Sequence, residues 1–265
     1  MTASNGDSRP GSAPPDSDDS SPAEPLNGTR DRDGATTELM VRHGRVPQVD
    51  EPEPAPIPPF SVGIATPEQL DAFRELRTRL LAMASAAGKT HFTTLVVSVT
   101  AGSGASFVAR NLAVAFTLQD RKLAILVDCN LRHPMQHRAL GTATDEGGLF
   151  EFLDQPQIGI EGLVRSTPIP GLHLIPAGRP PTLPREYFSS QAMRMVMAGL
   201  RQAPCYVFLD GPPAKGAPDA RILADSADFV ILVAGYGHDT IAGISQAAAL
   251  FDPAKFAGVV FNERH

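Results

Sequence analysis

The chain has no tryptophan, two cysteines and three tyrosines among its 265 residues. Cys129 and Cys205 are too few and too far apart in sequence for a disulfide framework or a cysteine-rich zinc site. No run of 18 apolar residues occurs, so no segment is expected to span a membrane. The N-terminus also lacks the charged-then-apolar pattern of a signal peptide, so the expected location is cytoplasmic. Basic charge is in deficit, with 23 Lys and Arg against 29 Asp and Glu. Without a basic footprint, no nucleic-acid partner is expected.

The acidic surplus is local. Residues 1–60 hold 11 of the 25 prolines and 11 acidic residues against 5 basic ones, which accounts for the whole net charge of −6. Residues 61–265 carry 18 charges of each sign. A segment so poor in large apolar residues cannot offset its ordering entropy, so 1–60 is expected to be a disordered tail. Within it, EPEPAPIPPF (51–60) is expected to be extended and stiff. The tail reads either as a spacer or as a docking segment for a partner. The neutral body, 61–265, is long enough to bury one substantial core.

Order is expected from about residue 65. Thr66-Pro67-Glu68 places a capping residue before a proline at the first helical position. In the helix that follows, Leu70, Phe73, Leu76, Leu80 and Leu81 form one apolar stripe, with Arg74, Arg77 and Arg79 off it. The period then changes. TTLVVSV (93–99), KLAILVD (122–128), LHLIPAG (172–178), YVFLDGP (206–212), FVILVAG (229–235) and AGVVFN (257–262) are short apolar, β-branched runs bounded by turn residues, as buried parallel strands are. Helical patterns lie between them, notably at 106–119 and 190–203. This alternation predicts an α/β fold with a doubly wound, mostly parallel sheet, whose ligand sits at the carboxyl ends of the strands.

The informative residues fall there. VVSVTAGSGASFVARNLA (96–113) runs strand, glycine-rich turn, helix, the context in which backbone N–H groups cradle a phosphate. The cradle would comprise Gly102, Ser103, Gly104, Ala105, Ser106 and Phe107, with the Ser106 hydroxyl available to a phosphate-bound magnesium ion. Alone, the loop reads rather as an ordinary strand–helix turn that uses glycine for its geometry. Two strand-end acids, Asp128 and Asp210, change that. A carboxylate at the tip of an apolar strand needs hydrogen bonds or a cation, and two beside a phosphate loop fit a magnesium–nucleotide site.

From about residue 65 to 262 the chain resembles the bacterial tyrosine kinase (BY-kinase) domain of polysaccharide synthesis and export systems, within the MinD/ParA-like class of P-loop ATPases. The phosphate loop, the two strand-end acids, the middle segment 149–190, Asp219-Ala220 and the final GVVFN occur in the family's order. The resemblance implies Mg-ATP or Mg-ADP as ligand, Asp128 and Asp210 as catalytic and metal-facing carboxylates, and Ser106 as a third metal ligand. It also implies that Asp71, Arg74 and Arg77 stand where the family has an acid-x-x-Arg-x-x-Arg motif for ring assembly, hence a homo-oligomer. The implied partner is the cytoplasmic tail of a membrane-anchored chain-length regulator (a polysaccharide co-polymerase), which would recruit the chain to the inner membrane face.

The sequence departs from the family where the chemistry sits. The family's loop ends Gly-Lys-Ser/Thr; here it reads Gly104-Ala105-Ser106, and the family's D-x-D reads Asp128-Cys129-Asn130. The sequence runs out at His265 without the tyrosine-rich tail that the family autophosphorylates, and Tyr187, Tyr206 and Tyr236 fall within the folded body. A charge-assisted hydrogen bond contributes roughly 1.5–3 kcal/mol, so losing the lysine weakens nucleotide binding by about 10- to 100-fold and phosphoryl transfer by more. The expectation is an impaired, pseudokinase-like regulator that binds nucleotide weakly. Three alternatives stand beside it: an active autokinase or ATPase using Lys215 as a displaced lysine, the same enzyme with the lysine supplied by a partner, and a MinD/ParA-type positioning ATPase. Lys215 also reads as a solvated surface lysine, Arg74 and Arg77 as a solvated helix face, and Cys129 as a small core residue.

Overall fold

The computed structural model describes residues 65–118, 122–142, 147–158, 160–179, 186–216 and 218–263. The expected tail, 1–60, and residues 180–185 of the middle segment lie outside the described residues.

Helix α1 (Pro67–Ala86) opens as its sequence predicts. The Thr66 hydroxyl accepts from the Gln69 amide and the Gln69 side chain accepts from the Thr66 amide, a reciprocal cap that satisfies two otherwise orphaned donors. Of its apolar stripe, Phe73 and Leu80 are buried, and Leu70, Leu76 and Leu81 pack partly buried beside them. The chain then lays down β1 (Thr93–Ser98), α2 (Ala105–Thr117), β2 (Ala124–Asp128), the one-turn α3 (Gln136–Ala139), α4 (Leu149–Asp154), β3 (Arg165–Ser166) and β4 (Leu172–Ile175). It continues through α5 (Gln191–Gln202), β5 (Tyr206–Asp210), α6 (Asp219–Ser226), β6 (Phe229–Gly235), α7 (Ile241–Ala248) and β7 (Phe256–Asn262).

The strands form one sheet in the order β3-β4-β2-β5-β1-β6-β7. Every described pairing is parallel except β3 with β4. The antiparallel edge was not foreseen, because two residues, Arg165 and Ser166, carry no periodic signal. The expected strands run one to three residues too long at several ends. At 172–178 the overrun has a local cause, since Pro176 has no N–H to donate to a ladder.

Both faces of the sheet are covered, which is why β1, β2, β5 and β6 are buried along their whole length. One face packs against α1 and α2, around Phe116, Phe208, Leu112 and Val96. Phe116 meets Tyr206 and Phe208 with ring centroids 4.6 and 5.0 Å away. The other face packs α4 and α5 through Leu149, Phe152, Met193 and Val196 onto Leu209 and Leu232. With β2, β5 and β1 adjacent and parallel, their carboxyl ends share one rim, and Asp128 and Asp210 are register partners on it.

Candidate active site

The phosphate-loop segment turns out of β1 and ends at Gly104, whose φ of +96° lies where only glycine sits without strain. Gly104 also has no room for a side chain, because a Cβ there would overlap the Asn262 amide at the end of β7. The Asn262 Nδ2 donates to the Ser103 carbonyl at 3.1 Å. Thus a carboxamide, rather than an ammonium group, fills the space beside Gly104. Helix α2 begins at Ala105 with no side-chain cap, leaving its first-turn amides at the positive end of the helix dipole.

The loop is pinned from behind by Asp239, whose side chain is 1% exposed. Its carboxylate accepts from Thr100 Oγ1 and Ser103 Oγ, each at 2.6 Å, and from the Gly235 amide at 2.8 Å. Burial alone would raise this pKa, but the Ser103, Thr100 and Gly235 donors bring it below the ordinary aspartate value. Sequence reasoning missed Asp239 and Asn262. The signal for Asp239 was its place just beyond a buried strand, and for Asn262 its place at the end of the GVVFN segment.

The acid pair lies at the other side of the loop. Asp128 and Asp210 are buried at the tips of neighbouring strands. Asp128 accepts from the backbone amides of Asn130, Met135 and Gln136 at 3.1–3.2 Å. Asp210 accepts from Ser106 Oγ at 3.1 Å and from Gln136 Nε2 at 2.7 Å. Burial raises both pKa values, and for Asp128 the Asp210 charge raises it further. Arg110, also buried, contacts Gln136 through its Nη1 at 2.8 Å. Burial depresses the Arg110 pKa, and the charges of Asp210 and Asp128 oppose that. Cys129 is fully buried, with its thiol pushed well up by burial, as a small core residue.

The structure therefore brings together Gly104, Ala105, Ser106, Asp128 and Asp210. Ser103 belongs to the same loop but turns its hydroxyl toward Asp239, and the Phe107 ring packs against Phe73 at 6.0 Å in the helical layer. Lys215 carries its ammonium group to the first turn of α7, where a Cβ at Gly243 would lie 3.1 Å from both Lys215 Nζ and Thr240 Oγ1. The helix arginines diverge, correcting the expectation of one solvated face. Arg74 pairs with Asp71 at 2.8 Å in the open, whereas Arg77 donates to the Ala115 carbonyl in the last turns of α2, a position favourable to a cation. Of the tyrosines, Tyr187 and Tyr206 are buried, but Tyr236 is 72% exposed, so the folded body presents one of them to solvent.

By chemistry, Ser106, Asp128 and Asp210 form an all-oxygen set of the kind magnesium prefers, and the Asn130 Oδ1 is a buried acceptor with no partner. No helix among the described residues is long and apolar enough to cross a membrane.

No family model matches the chain. Comparison with curated proteins finds the tyrosine-protein kinase wzc of Salmonella typhimurium 30% identical over 206 residues, 77% of this chain and 28% of that protein. The chain thus spans little more than a quarter of that relative. Among solved structures, the BceF tyrosine kinase domain is 29% identical with a TM-score of 0.63, covering 73% of this chain and 77% of that one. The kinase domain of the Escherichia coli tyrosine kinase ETK, at 22% identity, shares the fold with a TM-score of 0.66 over 82% of this chain and 83% of its own.

Proposed function

Because the chain belongs to the bacterial tyrosine-kinase domain family, we propose that it acts in exopolysaccharide or capsule assembly as a catalytically impaired nucleotide-binding regulator. Its partner is the cytoplasmic tail of a membrane-anchored chain-length regulator, which brings it to the membrane face. The observation that carries this reading is the Gly104–Ser106 turn. The backbone cradle is intact in form, Ala105 stands at the position of the family's lysine, and Asn262 occupies the space beside Gly104. Backbone amides and a helix dipole hold phosphate oxygens without any side chain. Transfer of a phosphoryl group requires charge neutralisation that they supply only in part.

Ser106, Asp128 and Asp210 are the oxygens on which a magnesium ion carried by the nucleotide would bear, and magnesium when bound offsets phosphate charge. What supports impairment is Ala105 at the position of the family's lysine with the Asn262 carboxamide beside Gly104, whereas the Lys215 ammonium group lies by Gly243 in the first turn of α7. The assembly role of Asp71, Arg74 and Arg77 is proposed in a narrower form. Asp71 and Arg74 are presented to a neighbouring copy, and Arg77 anchors α1 to α2 from within the chain.

The test is calorimetric titration with ATP and ADP, alongside radiolabelled autophosphorylation. Weak nucleotide binding with no magnesium-dependent phosphotyrosine is expected. Turnover at the rate of a lysine-bearing family member refutes the reading.

A further inference from the structure

The space among Asp128, Asp210 and Ser106 is filled by this chain's own side chains. Gln136 lies in it, fully buried. Its Nε2 donates to Asp210 Oδ2 at 2.7 Å and to the Ser106 carbonyl at 2.9 Å, while its Oε1 accepts from Arg110 Nη1 at 2.8 Å. The amide orientation follows from its partners. A carbonyl oxygen only accepts, a carboxylate offers acceptors, and a guanidinium only donates. Each of the four carboxylate oxygens already has a protein donor: Asn130 N, the Met135 and Gln136 amides, Ser106 Oγ and Gln136 Nε2.

Arg110 makes this arrangement a matter of charge. It follows Ser106 by one turn of α2, so both side chains project from one face of that helix. Arg110 is 6% exposed, and a guanidinium does not shed its proton at neutral pH. A fixed positive charge is thus built into the wall that faces two buried acids. An incoming divalent cation meets two obstacles. It must displace an NH₂ group that cannot serve it as a ligand, and it must approach a cation that cannot leave.

We propose that Arg110, relayed through Gln136, stands in for the divalent cation, so that this pocket neutralises its acid pair from within and takes nucleotide phosphates with little dependence on magnesium. The inference rests on the reading of Ser106, Asp128 and Asp210 as the cation-facing oxygens.

The test uses Mn²⁺ as a paramagnetic probe on the full chain without nucleotide. Electron paramagnetic resonance is expected to show wild-type affinity weaker than about 1 mM, the weak end of oxygen-ligated sites. Arg110→Met should tighten it by roughly tenfold or more once the buried charge is gone. Gln136→Asn, too short to span from Arg110 to Asp210, should move in the same direction. In calorimetry, exchanging EDTA for MgCl₂ should change wild-type ATP affinity less than about threefold, and that of Arg110→Met by about tenfold.

Wild-type Mn²⁺ binding in the tens of micromolar overturns the proposal. So does unchanged Mn²⁺ affinity in whichever variants keep the native circular dichroism spectrum. If neither variant folds, the wild-type measurement decides alone. Failure to bind ATP under either condition refutes the nucleotide reading above, and the Mn²⁺ arm still decides this one.

Discussion

Replacing Asp239 by alanine removes a carboxylate that three donors converge on: Thr100 Oγ1 and Ser103 Oγ at 2.6 Å, and the Gly235 amide at 2.8 Å. Hydrogen bonds to a charged group contribute about 1.5–3 kcal/mol each. Their simple sum overstates the loss, for two reasons. Ser103 Oγ keeps the Thr100 carbonyl as a second acceptor at 2.9 Å, and removing a buried charge returns its desolvation cost. The expected net loss is about 2–4 kcal/mol, which for a body of this size lowers Tm by roughly 5–15 °C. Asp239→Asn, which keeps one acceptor but turns an NH₂ toward the hydroxyls, should fall between the two.

The pH dependence has a fixed sign. The Asp239 pKa is depressed in the folded chain: burial pushes it up, and the Ser103, Thr100 and Gly235 donors outweigh that. Its stabilisation is therefore complete above the unfolded value near about 4 and is lost as pH falls through the lower folded value. Melting curves by circular dichroism at pH 7 should show the full gap between wild type and Asp239→Ala, and the gap should close on acidification below about pH 4. A Tm within about 1 °C of wild type at pH 7, or a gap that widens in acid, refutes the reasoning.

Three further outcomes follow from the same rim and its supporting helices. Ala105→Lys places an ammonium group at the start of α2, and ATP affinity measured by calorimetry should rise about 10- to 100-fold, the worth of one charge-assisted hydrogen bond. Gly104→Ala forces a Cβ into the Asn262 amide at a φ of +96°; thermal melts should show a loss of about 1–3 kcal/mol, and ADP affinity should fall with it. Arg77→Ala, which strips the Ala115 carbonyl of its donor, should cost about 1–2 kcal/mol in urea unfolding, while Arg74→Ala, losing an open surface pair with Asp71, should cost under about 0.5 kcal/mol.

The rim itself was largely legible in the chain. Glycines after one buried strand and acids at the ends of two others are local patterns, and a parallel α/β sheet always turns such ends to one side. The helix cap at Thr66 was legible for the same reason, since its partners lie three residues apart. The arginines of α1 were not. Their spacing puts them on one face, but only the packing of α1 on α2 decides that Arg77 finds a carbonyl and Arg74 finds solvent.

Composition, period and turn chemistry by themselves determined the neutral body, the strands other than β3, the helices α1, α2 and α5, and the lysine-free loop, because each is encoded over a few consecutive residues. Tertiary structure alone decided what stands around that loop. Gln136 meets Asp210 across 74 positions, Asp239 meets Ser103 across 136, and Asn262 meets it across 159. Those meetings depend on the strand order β2-β5-β1-β6-β7, which is set by how whole faces bury against one another and is written in no local pattern.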